Sequence, residues 1–306
     1  MLSHYHTTFD VENDNNSHAA MLRMVGSNKR VLEAGCASGH VSEKLHAQGC
    51  RVVGIEVDAS VVEPAAQWLE RVIVGSFDDQ ALWHELEGEV FDAILFGDVL
   101  EHLKDPLTTL RESLDHLSPS GMVIISVPNI AHADVKIALL NGAFPYSDDG
   151  LLDRTHISFF TKEGLLQLVR DAGLAVVEFV RVTVPVFHTE LGVKKDDVSD
   201  EALEAVLKDR EAETYQFVVK CVRDDGARSI GALSTQLIEL KDELLDATRH
   251  NLDLEAKLAG LEGKVEALEI QREADVKDLA HYRHQTGVVK RFVPATLLRF
   301  IRSRSN

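Results

Sequence analysis

Cysteine is scarce: Cys36, Cys50 and Cys221 are the only three in 306 residues, and no two form a C-x-x-C pair. That spacing excludes a disulfide framework and offers no zinc-ligand pattern. No apolar run approaches the roughly 18 residues of a membrane span. The first 16 residues are polar and lack the apolar core of a secretory signal. Positive charge is also short: 32 Lys and Arg face 50 Asp and Glu, a formal net charge of -18. So acidic a chain is not a general nucleic-acid binder, and no nucleic-acid partner is expected. A reducing cytoplasm is the expected setting.

Apolar residues make up 45% of the chain, enough for a substantial core. The length suits one domain of ordinary size with an appendage. After a short helix at 17–26, strands and helices alternate. Apolar runs predict strands at 30–34, 51–56, 71–74, 91–96 and 121–127. Helical patterns fall at 40–48, 59–69, 79–86 and 106–117. Runs apolar throughout, such as Gly121-Met122-Val123-Ile124-Ile125-Ser126-Val127, suit a parallel sheet covered on both faces. The predicted class is α/β, a doubly wound sheet of right-handed βαβ units. Beyond Pro128 come a helix at 130–142, a loop from Phe144 to Ser158, a helix at 161–172 and a strand at 174–184. A polar insert at 185–213 carries one helix at 199–209. Tyr215 to Val222 is the last predicted strand.

The stretch Glu33-Ala34-Gly35-Cys36-Ala37-Ser38-Gly39 ends the first strand and opens a helix. Gly35 permits a tight turn, and Ala37 and Gly39 keep it thin enough for a ligand to lie on the backbone. A dinucleotide fingerprint starting at Gly35 needs glycines at 37 and 40, where this chain has Ala37 and His40. Glu56 ends the second strand near the offset at which nucleotide folds place a carboxylate on a ribose. Gly75-Ser76-Phe77 follows the third. The fourth runs from Phe91-Asp92 through Gly97-Asp98 to Leu100-Glu101-His102-Leu103. Later comes Thr155-His156-Ile157-Ser158-Phe159-Phe160-Thr161.

These segments, in this order over 30–161, resemble class I S-adenosylmethionine-dependent methyltransferases, with Ala37 in place of the middle motif glycine. The resemblance implies a seven-stranded Rossmann-like methyltransferase sheet whose last strand returns as a hairpin. It also implies S-adenosyl-L-methionine as cofactor, held by Glu33, Gly35, Cys36, Gly39, Glu56, Ser76, Phe77 and Gly97. Ser76 stands where the family has an acid near the adenine, and Phe77 offers either its ring or its backbone N–H there. His102 and His156 are the candidate general bases, because histidine titrates near neutrality. Each also fits a histidine that only holds a loop. Glu101, His102 and Asp153 are potential divalent-ion ligands, but no spacing demands one and no metal is expected.

From Ile230 the pattern becomes heptad. Apolar residues at 230, 233, 237, 240, 244, 247, 254, 258, 261, 265 and 268 fill a and d positions, with Asn251 the polar exception. At about 1.5 Å per residue the stripe from 230 to 268 spans about 58 Å. The expected layout is a methyltransferase domain at 1–225, a coiled-coil stalk at 226–285 that joins two or three copies, and a basic amphipathic tail at 286–306. In that tail Lys290, Arg291, Arg299, Arg302 and Arg304 stand among Leu297, Leu298, Phe300 and Ile301, with no acid. Such a tail suits contact with an inner-membrane surface or with a glycosyltransferase. The layout resembles bacterial enzymes that methylate a sugar hydroxyl in surface polysaccharide, a glycan acceptor. The alternatives are a quinone-type small-molecule O-methyltransferase, or an oligomeric scaffold that binds cofactor without catalysis.

Overall fold

The computed structural model describes residues 9–224 and 230–292, with side chains described over 9–224 and 236–278. Strands β1 (Arg30–Ala34), β2 (Arg51–Glu56), β3 (Arg71–Val74), β4 (Phe91–Gly97), β5 (Leu117–Pro128), β6 (Leu174–Thr183) and β7 (Thr214–Arg223) form one sheet. Its order is β3-β2-β1-β4-β5-β7-β6. The first five are parallel, and β7 runs antiparallel between β5 and β6.

Alternate residues of one strand enter different cores. Val31 packs with Val52, Leu95 and Ile124 on one face, under α1 (Ser17–Val25) and α2 (His40–Ala47). Leu32 packs with Val53, Ile94, Phe96 and Val123 on the other. That face is covered by α3 (Gln80–Glu85), α4 (Pro106–Leu114) and α6 (Lys162–Asp171). Both faces are dry, which is why these strands read as unbroken apolar runs. Fully burying each such side chain contributes about 1.5–3 kcal/mol. A smaller core joins α5 (Ala133–Leu140) and α7 (Asp200–Leu207) to the segment between β6 and β7, through Ile137, Val186, Val193 and Ala212.

Three expected elements differ. No α-helix forms at 59–69; the segment is turns and a single 3-10 turn at Ala65–Gln67. Asp58 folds back to accept Ser60 N–H at 2.8 Å, and Pro64 has no N–H to give an α-helix. The helix expected at 106–117 stops at Leu114, because Leu117 pairs with Phe91 and the Arg223 guanidinium takes the Leu114 and Leu117 carbonyls. The helix expected at 130–142 starts only at Ala133, where the His132 ring accepts Asp134 N–H at 3.1 Å.

The last helix, α8 (Ile230–Phe292), runs 63 residues without a break. The chain divides into a compact unit ending at Ile238 and a second unit from Glu239. Ile238 packs against the first unit's core, so that unit extends past the expected boundary at 225. In the second unit Leu244, Leu261 and Leu268 expose more than half of their surface. Among the described residues no helix is long and apolar enough to cross a membrane. Residues 293–306, which hold Pro294, Leu297, Leu298, Phe300, Ile301 and three of the tail arginines, lie outside the described residues.

Candidate active site

The sheet reverses its winding between β1 and β4: β2 lies on one side of β1 and β4 on the other. In open α/β sheets ligands sit at this point, off the carboxyl ends of the strands. Gly35 (φ 66°), Ala37 (φ 45°) and Gly39 (φ 86°) all take left-handed backbone there, which makes the turn after β1 very tight. A Cβ on Gly39 would sit 2.7 Å from Ala65 Cα. The 3-10 turn at 65–67 is thus a backbone wall against the glycine turn, a contact that glycine alone permits.

Under the turn lie two carboxylates. Glu33 is buried, and Ser42 Oγ donates to its Oε2 at 2.5 Å. Burial pushes its carboxyl up to about 8, against the Ser42 bond and helped by Glu56. Glu56, at the tip of β2, accepts Ala37 N–H at 2.9 Å and Asp58 N–H at 3.0 Å. Those two bonds leave half of the carboxylate's four acceptor positions unused. A thin turn, a rim carboxylate with spare acceptor capacity and the switch point together fit a nucleoside with its ribose hydroxyls at Glu56.

Other assigned residues land elsewhere. Cys36 is buried, its N–H bonded to the Ile55 carbonyl at 3.0 Å, with Sγ pressed on Gly54. It braces the turn from beneath and has no N–H left for a ligand. The Phe77 ring packs in the core between Trp83 and Phe96, centroids 5.5 and 5.6 Å away. It cannot cover an adenine, so only its backbone faces that possibility. Ser76 Oγ accepts Asp78 N–H at 3.2 Å. Gly97 ends β4 beside Ser126, with Met21 behind it.

Asp98 is a residue that spacing alone did not single out. It has φ 56°, and its Oδ1 accepts bonds from Ser126 Oγ (3.4 Å) and from Gln216 on β7. Burial raises its carboxyl to about 6 despite both bonds. Asp is one of the few non-glycine residues that adopt such a φ readily, and no sequence pattern announces it here.

The fold brings His102 and His156 together. The Glu101 carbonyl accepts Ile157 and Ser158 N–H, each at 2.9 Å, and Ser158 Oγ donates to the Leu103 carbonyl at 3.0 Å. His102 Nδ1 lies 3.2 Å from the Thr155 carbonyl, so it carries the proton and leaves Nε2 as an acceptor. The rings meet edge to face, centroids 4.8 Å apart. Burial and then His102 hold His156 below the ordinary imidazole value, against the opposing charge of Asp153. Around them Phe144, Tyr146, Ile157 and Phe159 expose apolar surface, and Phe159 lies 6.5 Å from the His156 ring.

Glu101, His102 and His156 each bring a ligand-type atom within 4.8 Å of the others. The Glu101 side chain is only 1% exposed, and neither carboxylate oxygen has a hydrogen-bond partner. Burial, then Asp98 and Asp153, hold its carboxyl well above the usual range.

A curated ubiquinone biosynthesis O-methyltransferase from Cereibacter sphaeroides is 29% identical over 153 residues, 49% of this chain and 61% of that protein. One from Ruegeria pomeroyi is 31% identical over 155 residues, again 49% and 61%. The chain thus spans 61% of the length of these relatives. A solved S-adenosylmethionine-dependent methyltransferase from Archaeoglobus fulgidus superposes with TM-score 0.49 at 16% identity, covering 69% of this chain and 94% of that one. The model of the methyltransferase domain family matches residues 16–179. The chain belongs to this family of methyltransferase domains.

Proposed function

We propose that this protein is an O-methyltransferase that methylates a hydroxyl of a small aromatic acceptor of the quinone type. The observation that carries the reading is the His102–His156 pair, set at the carboxyl edge of the sheet and rimmed by exposed aromatic side chains. Two relatives named for ubiquinone biosynthesis favour an aromatic hydroxyl over the sugar hydroxyl of the polysaccharide reading. The bound cofactor supplies a methyl group already activated on a sulfonium. The protein's task is to align the acceptor oxygen in line and relieve it of its proton. An oxygen lone pair then forms the new O–C bond as the S–C bond breaks, and that pair stays on sulfur.

Each group has a place in this scheme. Glu56 holds the ribose hydroxyls, and Glu33 and Cys36 brace the turn from below. Gly97 and Asp98 flank the methionyl end. His102 and His156 receive the acceptor hydroxyl, and Phe144, Tyr146 and Phe159 hold its ring by edge and face contacts. Helix α8 pairs with one or two further copies along its heptad stripe, with Asn251 matched to its twin.

The test is direct. Purified protein with isotopically labelled S-adenosylmethionine is offered a panel of catechols and hydroquinones beside sugar oligomers. Label on a phenolic oxygen is expected. Label on glycans, with none on any phenol, would reverse the acceptor assignment.

A further inference from the structure

The insert at 184–213, between β6 and β7, holds a side chain that reaches the loop carrying His156. Glu190 Oε1 accepts Leu151 N–H at 2.6 Å, and its Oε2 accepts the Tyr215 hydroxyl of β7 at 3.0 Å. The carboxylate thus ties the 150–156 turn to the sheet. Gly150 stands at φ 83°, and a Cβ there would collide with Glu190 Oε1, so the turn is shaped to admit the carboxylate. Burial, and next the charge of Glu190, hold the Tyr215 hydroxyl far above the ordinary phenol value, so it stays a donor. The backbone just before Glu190 is pinned as well. Buried Asp134 accepts Phe187 N–H at 2.8 Å and the Thr189 hydroxyl at 2.6 Å.

The tied turn is the one that presents His156. Ser147 N–H donates to the Leu152 carbonyl at 3.0 Å, Arg154 N–H to the Ser147 carbonyl at 3.1 Å, and His156 N–H to the Asp153 carbonyl at 3.1 Å. Leu151 and Leu152 are buried with Val135, and Tyr215 and Leu191 pack beside them. The Leu151 carbonyl is turned toward the His156 ring, where it favours the protonated imidazole. So the residue whose amide Glu190 holds is the residue whose carbonyl faces that ring. On the far side, the Glu101 carbonyl holds the amides of Ile157 and Ser158. His156 sits between two anchors, one from the turn after β4 and one from the insert.

We propose that Glu190 is a positioning residue for methyl transfer: by joining the Leu151 amide to the Tyr215 hydroxyl, it keeps the His156 imidazole aimed at the acceptor hydroxyl. The inference rests on the reading in which His156 receives the acceptor's proton, and it deepens that reading by assigning what sets the ring. A carboxylate suits the task, because its two partners are both donors, on different elements, and hydrogen bonds to an ionised acceptor are the strong ones. Placement matters to the rate, since a shift of about 1 Å in a reacting group can cost roughly 10²-fold.

The full chain is assayed with labelled S-adenosylmethionine and catechol. Glu190→Ala should lower kcat by roughly 10- to 100-fold and leave the affinity for S-adenosylhomocysteine at the wild-type value. Glu190→Gln keeps an acceptor for Leu151 N–H and offers its amide to the Tyr215 oxygen, so it should recover most of the rate. Amide hydrogen exchange, read by mass spectrometry, should quicken over 147–156 in Glu190→Ala and stay unchanged there in Glu204→Ala, an exposed position of the same insert. His156→Ala and the double variant His156→Ala/Glu190→Ala should turn over equally, because losses that run through one group do not multiply. A wild-type kcat in Glu190→Ala, unchanged exchange over 147–156, or a full further loss in the double variant would each overturn the proposal. Failure of the reading beneath it looks different: the wild-type chain transfers no methyl to catechol, or His156→Ala keeps the wild-type rate.

Discussion

His102 and His156 meet edge to face with ring centroids 4.8 Å apart, although α4, β5, α5 and a long loop separate them in the chain. The contact is built by backbone bonds: Glu101 takes two amides of the 157–158 segment, and His102 bonds the Thr155 carbonyl. Replacing either ring by Ala should lower turnover by roughly 10²–10⁴, the usual contribution of a group that handles a proton in the transition state. Cofactor affinity should hold, because neither ring stands at the glycine turn. Paired turnover assays and cofactor titrations check this. A parallel fall in cofactor affinity and thermal midpoint would make the pair a loop fastener.

Glu56→Ala should weaken binding of S-adenosylhomocysteine by about 1.5–3 kcal/mol, the range for hydrogen bonds to a charged group. Calorimetric titration of both proteins measures it. The same variant also frees the Ala37 and Asp58 amides, so a lower melting temperature should accompany the loss. Unchanged affinity would remove Glu56 from the ribose.

Glu33 makes a pH prediction. Its folded carboxyl stands near 8, against an ordinary value of 4.5. Between those values the unfolded chain has released the proton and the folded chain still holds it. Raising pH therefore favours unfolding, by up to about 1.4 kcal/mol per pH unit for this one group. Glu33→Gln cannot titrate and keeps an acceptor for Ser42. Urea midpoints at several pH values between 5 and 8 should fall more steeply in wild type than in the variant. Identical slopes would show that Glu33 ionises normally.

Gly39→Ala should destabilise the fold by about 1–3 kcal/mol. Its φ of 86° disfavours a side chain, and the added carbon would sit 2.7 Å from Ala65 Cα. Thermal melts in the absence of ligand isolate this effect from any effect on binding. A melting point equal to wild type would mean that the 65–67 turn simply moves aside.

For assembly, the full chain should sediment as two or three copies and a chain ending at Ile238 as one. The cut is placed after Ile238 because that residue packs on the first unit's core. Light scattering decides it; a shorter chain that kept the larger mass would place the contact outside α8.

Much of the sheet was legible in advance. β1, β2 and β3 fall where apolar runs predicted them, at 30–34, 51–56 and 71–74. A strand dry on both faces is apolar at every position, so its limits show in one dimension. The glycine turn was legible too, since few residues tolerate φ values of 66° and 86°. The segment at 59–69 was misread because helical periodicity survived while Pro64 and the Asp58 side chain took the backbone elsewhere. Phe77 looked available as a ring cover, yet the gap between Trp83 and Phe96 claimed it.

By itself, then, the sequence determined the alternation of strand and helix, the acid-and-glycine turn and the family, because these rest on local periodicity and on backbone freedom. Only the tertiary structure decided which carboxylates are buried, that Asp98 leans on Ser126 and Gln216, and that Glu101 lies unpartnered beside two imidazoles. Those relations join residues from β4, β5, β7 and a distant loop. Distance along a chain carries no information about such contacts until the sheet is closed around its core.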